Sequence, residues 1–243
     1  MSGHSKWSQI RHRKGAADAK RGQLFGKLIR EITVAAREAG VNPDINVRLR
    51  AAMERGKKEG LPKDNIERAL ERTSGKGDAG ALFEFLYEAT AAHGVMILIE
   101  GITDSKNRTL AEIKHTLTER DGRLAKQGSL IWNFEKVGAL VAALAPSGGR
   151  SREERELAII EAGASDFHIE DDTMLIETPF AERERVRETL EGQGIAITES
   201  GHDFKPRAPL ALAPEARNAV ESLLDVLTEH DDVQEVYTNL PSL

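Results

Sequence analysis

The run Val137-Gly138-Ala139-Leu140-Val141-Ala142-Ala143 and the sixty residues after it decide the fold. Val137–Ala143 reads as a strand and Ser151–Ala162 as a helix. Asp166–Glu170 and Thr173–Glu177 follow as a hairpin turning over Asp171-Asp172. A helix over Phe180–Glu191 and a strand from Ile195 to Glu199 or beyond complete the series. The order β-α-β-β-α-β is that of a ferredoxin-like unit.

Outward from this unit, Pro206-Arg207-Ala208-Pro209 separates it from a last helix, about Pro214–His230, and a last strand, Val233–Thr238. Neither can bury its apolar face alone, so both are expected to return to elements earlier in the chain. Those are strands over Leu82–Thr90 and Val95–Thr103 joined at His93-Gly94, a helix over Lys106–Glu119 capped from Asp104-Ser105, and a strand over Ser129–Phe134. Before them lies Thr73-Ser74-Gly75-Lys76-Gly77-Asp78-Ala79-Gly80, a linker by composition. It holds a literal G-x-G-x-x-G, but a helix precedes it and a strand follows, the reverse of the dinucleotide-binding arrangement.

Toward the N-terminus, Leu24, Phe25, Leu28, Ile29, Ile32, Ala35 and Ala36 recur at helical spacing and predict a helix from about Ala16 to Gly40. Asn42-Pro43-Asp44 reads as the N-cap, first residue and first-turn acid of a second helix, ending at Gly60, and Pro62 with Asp64 as the start of a third. The expected fold is α+β. A three-helix N-terminal domain (1–77) precedes a middle α+β domain (81–135 plus 208–243), into which the ferredoxin-like domain (136–207) is inserted.

Charge is divided along this plan. Residues 1–77 hold 18 basic and 9 acidic side chains, against 16 and 31 in the remainder, in a chain of net charge −6. Within the first thirty residues eight cations stand against one acid, Asp18. A cationic end on an acidic body is the pattern of a surface that meets a polyanion. The candidate nucleic-acid-binding residues are Lys6, Trp7, Arg11, Arg13, Lys14, Lys20 and Arg21. Trp7 either anchors the arm on the helices or stacks on an unpaired base. Lys27, Arg30 and Arg37 alternate with acids and read as the solvated face of the helix.

Other chemistry finds no residues. Cysteine is absent, which excludes disulfides, thiolate metal sites and a cysteine nucleophile. The seven histidines have no metal-ligand spacing. Ser200-Gly201-His202-Asp203 has a triad's residue types, but sequence neighbours cannot aim at one another as a relay requires, and a loop is expected. Asp231-Asp232 reads as a solvated turn. Gly22–Lys27 echoes a P-loop, but the spacing is one residue short and the stretch is helical. No catalytic residue, metal or cofactor is expected. No run approaches a membrane span, and a cytoplasmic protein is expected.

Gly3-His4-Ser5-Lys6-Trp7, Lys20-Arg21 with Phe25 to Ile32, Asn42-Pro43 with Asn46 to Arg50, and Leu61-Pro62-Lys63-Asp64-Asn65-Ile66 together resemble the YebC/PmpR family, to which a mitochondrial translational activator of cytochrome oxidase is also similar. The resemblance spans the chain, with the specific motifs in the first seventy residues. It implies three domains and, as the family is commonly described, a DNA-binding transcriptional regulator. Other members imply a ribosome-associated role that assists translation of difficult sequences such as proline runs. The expectation is therefore a non-enzymatic regulator with DNA as partner, or ribosomal RNA in the alternative reading. A small-molecule sensor built on the ferredoxin-like unit is a more remote alternative.

Overall fold

The computed structural model describes residues 18–73, 80–143, 151–170 and 173–241. The fold is α+β, with an N-terminal helical region and two open four-stranded sheets. It divides into two compact units, one formed by Glu135–Lys205 and the other by the residues before and after that segment.

In the first unit, α1 (Asp18–Ala39), α2 (Val47–Lys58) and α3 (Lys63–Glu71) enclose Leu28, Ile32, Leu49, Leu61 and Ile66. Gly40 ends α1 in the left-handed region (φ 88°), its N–H donating to Ala36 O at 2.9 Å. The cap of α2 corrects the sequence reading. Asn46, not Asn42, caps it: its Oδ1 accepts from Leu49 N at 3.0 Å, while its Nδ2 donates to Ala35 O at 2.8 Å and Gly40 O at 2.7 Å. Buried Asn46 thus serves the end of one helix and the start of the next. Exposed Asn42 only closes a local turn, accepting from Asp44 N at 3.0 Å.

The sheet of this unit runs β3-β1-β2-β8. β1 (Phe83–Thr90) and β2 (Met96–Thr103) form an antiparallel hairpin over Ala92–Gly94, where His93 (φ 61°) and Gly94 (φ 81°) make the reversal. α4 (Lys106–Thr118) and α7 (Pro214–Glu229) supply Ile113, Leu117, Leu223 and Leu227 to its core. β8 (Val233–Thr238) pairs antiparallel with β2, with a register shift at Glu100/Gly101.

Ser129–Phe134 is not wholly the strand expected. Ile131–Asn133 is a 3-10 turn, and the small strand β3 (Arg123–Leu124) pairs with β1 instead. The reason is Glu88 on β1. Its buried carboxylate accepts the backbone N–H groups of Gly128, Leu130 and Ile131, so those amides curl around one anion rather than enter a ladder.

The second unit runs β4 (Phe134–Ala143), α5 (Arg152–Ala162), β5 (Asp166–Glu170), β6 (Thr173–Pro179), α6 (Arg183–Gly192), β7 (Ile197–Pro206), in sheet order β5-β6-β4-β7. Its core is its own: Leu140, Ile159, Met174, Ile176, Val186 and Leu190. Ser151 and Glu154 form a capping box at the start of α5, and Gly163 (φ 96°) ends it. Ser200 to Asp203 lie within β7 rather than in the loop expected.

Candidate nucleic-acid interface

Lys6, Trp7, Arg11, Arg13 and Lys14 lie outside the described residues. Lys20 stands in the first turns of α1, and Arg21, one residue on, is exposed there. What the structure adds is how α1 is held behind them.

The face of α1 read as merely solvated is in fact a docking surface. Gln23 Nε2 donates to Glu229 O and, at 2.9 Å, to Asp231 Oδ1. Lys27 Nζ donates to Thr228 O at 2.6 Å, and Arg30 to Asp231 O at 2.6 Å, with a second guanidinium nitrogen 3.5 Å from Asp232 Oδ1. From α2, Arg55 reaches Glu235 at 3.2 Å and Glu31 at 3.4 Å. The last turn of a helix leaves carbonyls without partners and carries partial negative charge, so cations there are stabilising. α1 therefore lies with its cations across the C-terminal end of α7 and the turn into β8.

Two titrating groups register this burial. Burial pushes the Lys27 ammonium down to about 8, partly opposed by Glu235 and Asp231 and reinforced by Arg55 and Arg30. For Asp232, burial works to raise the carboxyl pKa. Hydrogen bonds from Thr109 (2.6 Å) and Arg108 (2.8 Å), the charge of Arg30 and the Thr103 hydroxyl outweigh it and hold the group below the usual carboxylate range. Asp232 is only 3% exposed, so the sequence reading of Asp231-Asp232 as a solvated turn is corrected. Arg37, also read as solvated, is exposed and donates to Gly80 O at 3.0 Å.

Glu112, His230 and Asp232 come together closely enough to suggest a cation site. The hydrogen bonds argue otherwise. His230 Nδ1 accepts from Asp232 N at 3.1 Å, which in a neutral ring leaves the proton on Nε2, 3.1 Å from Glu112 Oε2. Neither ring nitrogen keeps a lone pair for a metal, and Arg108 already occupies Asp232.

Elsewhere in the helical region the cations are divided between ion pairs and solvent. Arg48 pairs with Glu38 and Glu84, and Lys63 with Glu67 at 3.1 Å, whereas Lys57 and Arg68 are exposed. The docked residues escaped sequence reading because their partners lie about two hundred positions away. The available signal was Val34, an apolar residue at helical spacing from Lys27 and Arg30 on the face opposite the main apolar stripe, and it is buried.

Comparison with known proteins places this architecture. Residues 5–76 match the TACO1/YebC protein N-terminal domain and residues 82–240 the TACO1/YebC second and third domain. The chain belongs to the TACO1/YebC family. It is 44% identical over 240 residues to a Thermomicrobium roseum protein named "Probable transcriptional regulatory protein", covering 98% of this chain and 96% of that one. A Dehalococcoides mccartyi protein of the same description is 41% identical, covering 98% and 94%. The crystal structure of a conserved hypothetical protein from Aquifex aeolicus superposes with a TM-score of 0.87 at 37% identity, over 98% of this chain and 97% of that one. Among the described residues no helix is long and apolar enough to cross a membrane.

Proposed function

We propose that this protein is a non-enzymatic, DNA-binding transcriptional regulator whose basic N-terminal arm and the first turns of α1 grip phosphates through Lys6, Arg11, Arg13, Lys14, Lys20 and Arg21, with Trp7 among them. The observation that carries this is the partition of charge along α1. Gln23, Lys27 and Arg30 are consumed in docking, while Arg21 is exposed and the cation-rich residues before it precede the docked stretch. The name of the bacterial relatives supports the transcriptional reading.

Two finer points of architecture belong to the same proposal. The segment 136–207 is a ferredoxin-like domain, supported by the strand order β5-β6-β4-β7. It is inserted into the middle domain 81–135 plus 208–243, supported by Arg207 N donating to Asn133 O at 2.7 Å where the chain leaves and returns. The helical domain comprises 1–77.

Binding led by phosphates predicts a steep salt dependence. With about five phosphates neutralised on duplex DNA, log K against log salt should fall with a slope of roughly −4 to −5. Arg13→Ala should flatten it by about one unit. Affinity indifferent to salt would overturn the proposal.

RNA, including ribosomal RNA, is the second reading, favoured by one observation. The first turn of α3 presents Asp64 beside a Lys63 already paired with Glu67, a poor start for a helix entering the major groove. Crosslinking in cells followed by sequencing of DNA and RNA separates the two: recovery of ribosomal RNA alone would replace the transcriptional reading with the translational one.

A further inference from the structure

Trp132 is 65% exposed, yet it sits on one of the most tightly held turns of the first unit. The Glu88 carboxylate, 4% exposed, gathers the amides of Gly128, Leu130 and Ile131. On the other side, Asn133 is buried, its N–H on Leu130 O at 2.9 Å and its carbonyl taken by Arg207 N. The indole itself is fixed, Nε1 donating to Ser129 O at 2.7 Å. A buried anion thus organises a loop that pins both neighbours of Trp132 and leaves the ring in solvent.

The chemistry around the ring selects its partner. From Gly122 to Phe134 there is no carboxylate, although the chain beyond residue 77 carries 31 acids against 16 bases. Arg123 and Lys126 of this stretch are exposed, as is Arg207, whose backbone is bonded to that of Asn133. The exposed residues between Lys126 and the ring are Gln127, Gly128 and Ser129, none with an apolar side chain. Protein hot spots bury an aromatic at the centre of a well-packed patch sealed by its surroundings. A single flat ring whose own chain segment supplies polar and cationic neighbours instead has the composition of a stacking platform, on which a base lies against the aromatic while cations meet the flanking phosphates.

We propose that Trp132, with Lys126 and Arg207, is a second nucleic-acid contact that stacks an unpaired base of single-stranded nucleic acid. This rests on the reading of the protein as a nucleic-acid binder, but uses residues apart from the arm. A base within a duplex is already stacked on both faces, so the site discriminates for unpaired strands.

The test uses the full-length protein carrying Trp7→Phe, which leaves Trp132 as the only tryptophan. Titration with a single-stranded oligothymidylate should quench its fluorescence, whereas an abasic oligonucleotide of equal length and charge should bind more weakly and leave it unquenched. Adding Trp132→Ala should weaken oligothymidylate binding by about tenfold or more and change duplex affinity less than twofold, while Trp132→Phe restores most of the loss. Because the ring is exposed, both variants should unfold at the parent's midpoint. Equal oligothymidylate affinity with and without the ring, in a protein that still binds duplex, overturns this proposal alone. Failure of the protein with both tryptophans intact to bind either nucleic acid at low salt overturns the arm reading as well.

Discussion

Gly101 shows how much of this fold rests on a missing side chain. A Cβ there would stand 2.1 Å from Asp232 O and 2.3 Å from the Phe85 ring, distances no real contact permits. The residue sits where β8 shifts register against β2, and Ile102 N donates to the same Asp232 carbonyl at 2.8 Å. Gly101→Ala should therefore force the β8 turn and the Phe85 ring apart, costing on the order of 1–3 kcal/mol or more, read as a lower urea midpoint. Lys27 gives a pH signature at the same scale. Its folded-state pKa, about 8, lies below the ordinary 10.5. At pH below 8 both folded and unfolded chains carry the proton, and the cost of burying the charge is fully present. Between 8 and 10.5 the unfolded chain keeps the proton that the folded one releases, so this group's contribution to stability improves as pH rises. Urea denaturation at pH 7 and pH 9.5 should show wild type gaining on Lys27→Met over that interval.

At the scale of elements, two buried carboxylates do what hydrophobic periodicity cannot. Asp232 ties the α7–β8 turn to α4 through Thr109 and Arg108 and to α1 through Arg30. Asp232→Asn should cost about 1–3 kcal/mol at neutral pH. Because the wild-type carboxyl is held below its usual range, this advantage is full above that range and lost as pH falls through the folded-state value. The two proteins' unfolding free energies should accordingly converge only in acid. Glu88 does the corresponding work for the loop before β4, and Glu88→Gln should accelerate amide hydrogen exchange at Gly128, Leu130 and Ile131 while leaving the β1–β2 hairpin protected. The strand expected over Ser129–Phe134 failed at this scale. Its apolar residues carry a strand's composition, but their amides answer to a carboxylate forty positions earlier in the chain. The cap of α2 failed similarly, since Asn42 and Asn46 are both good caps by residue type and only burial chooses between them.

At the scale of the whole molecule, the segment Glu135–Lys205 has its own core and a complete sheet. Expressed alone, it should unfold in one cooperative transition with native-like circular dichroism; a non-cooperative melt would show that it depends on the rest of the chain. Sequence alone sufficed for most helices and strands, the βαββαβ order, the division of charge and the family resemblance, because each is written in neighbouring residues through periodicity, composition or motif. It did not tell which cations were free. Lys27, Arg30 and Arg55 look like any solvated helix face until the tertiary structure brings Thr228, Asp231, Asp232 and Glu235 against them. Nor did it tell that Trp132 stands in solvent on a loop braced by Glu88. Propensity is a property of a segment, whereas an ion pair or an exposed ring depends on what lies opposite in space, and here that is chain from 40 to some 200 residues away.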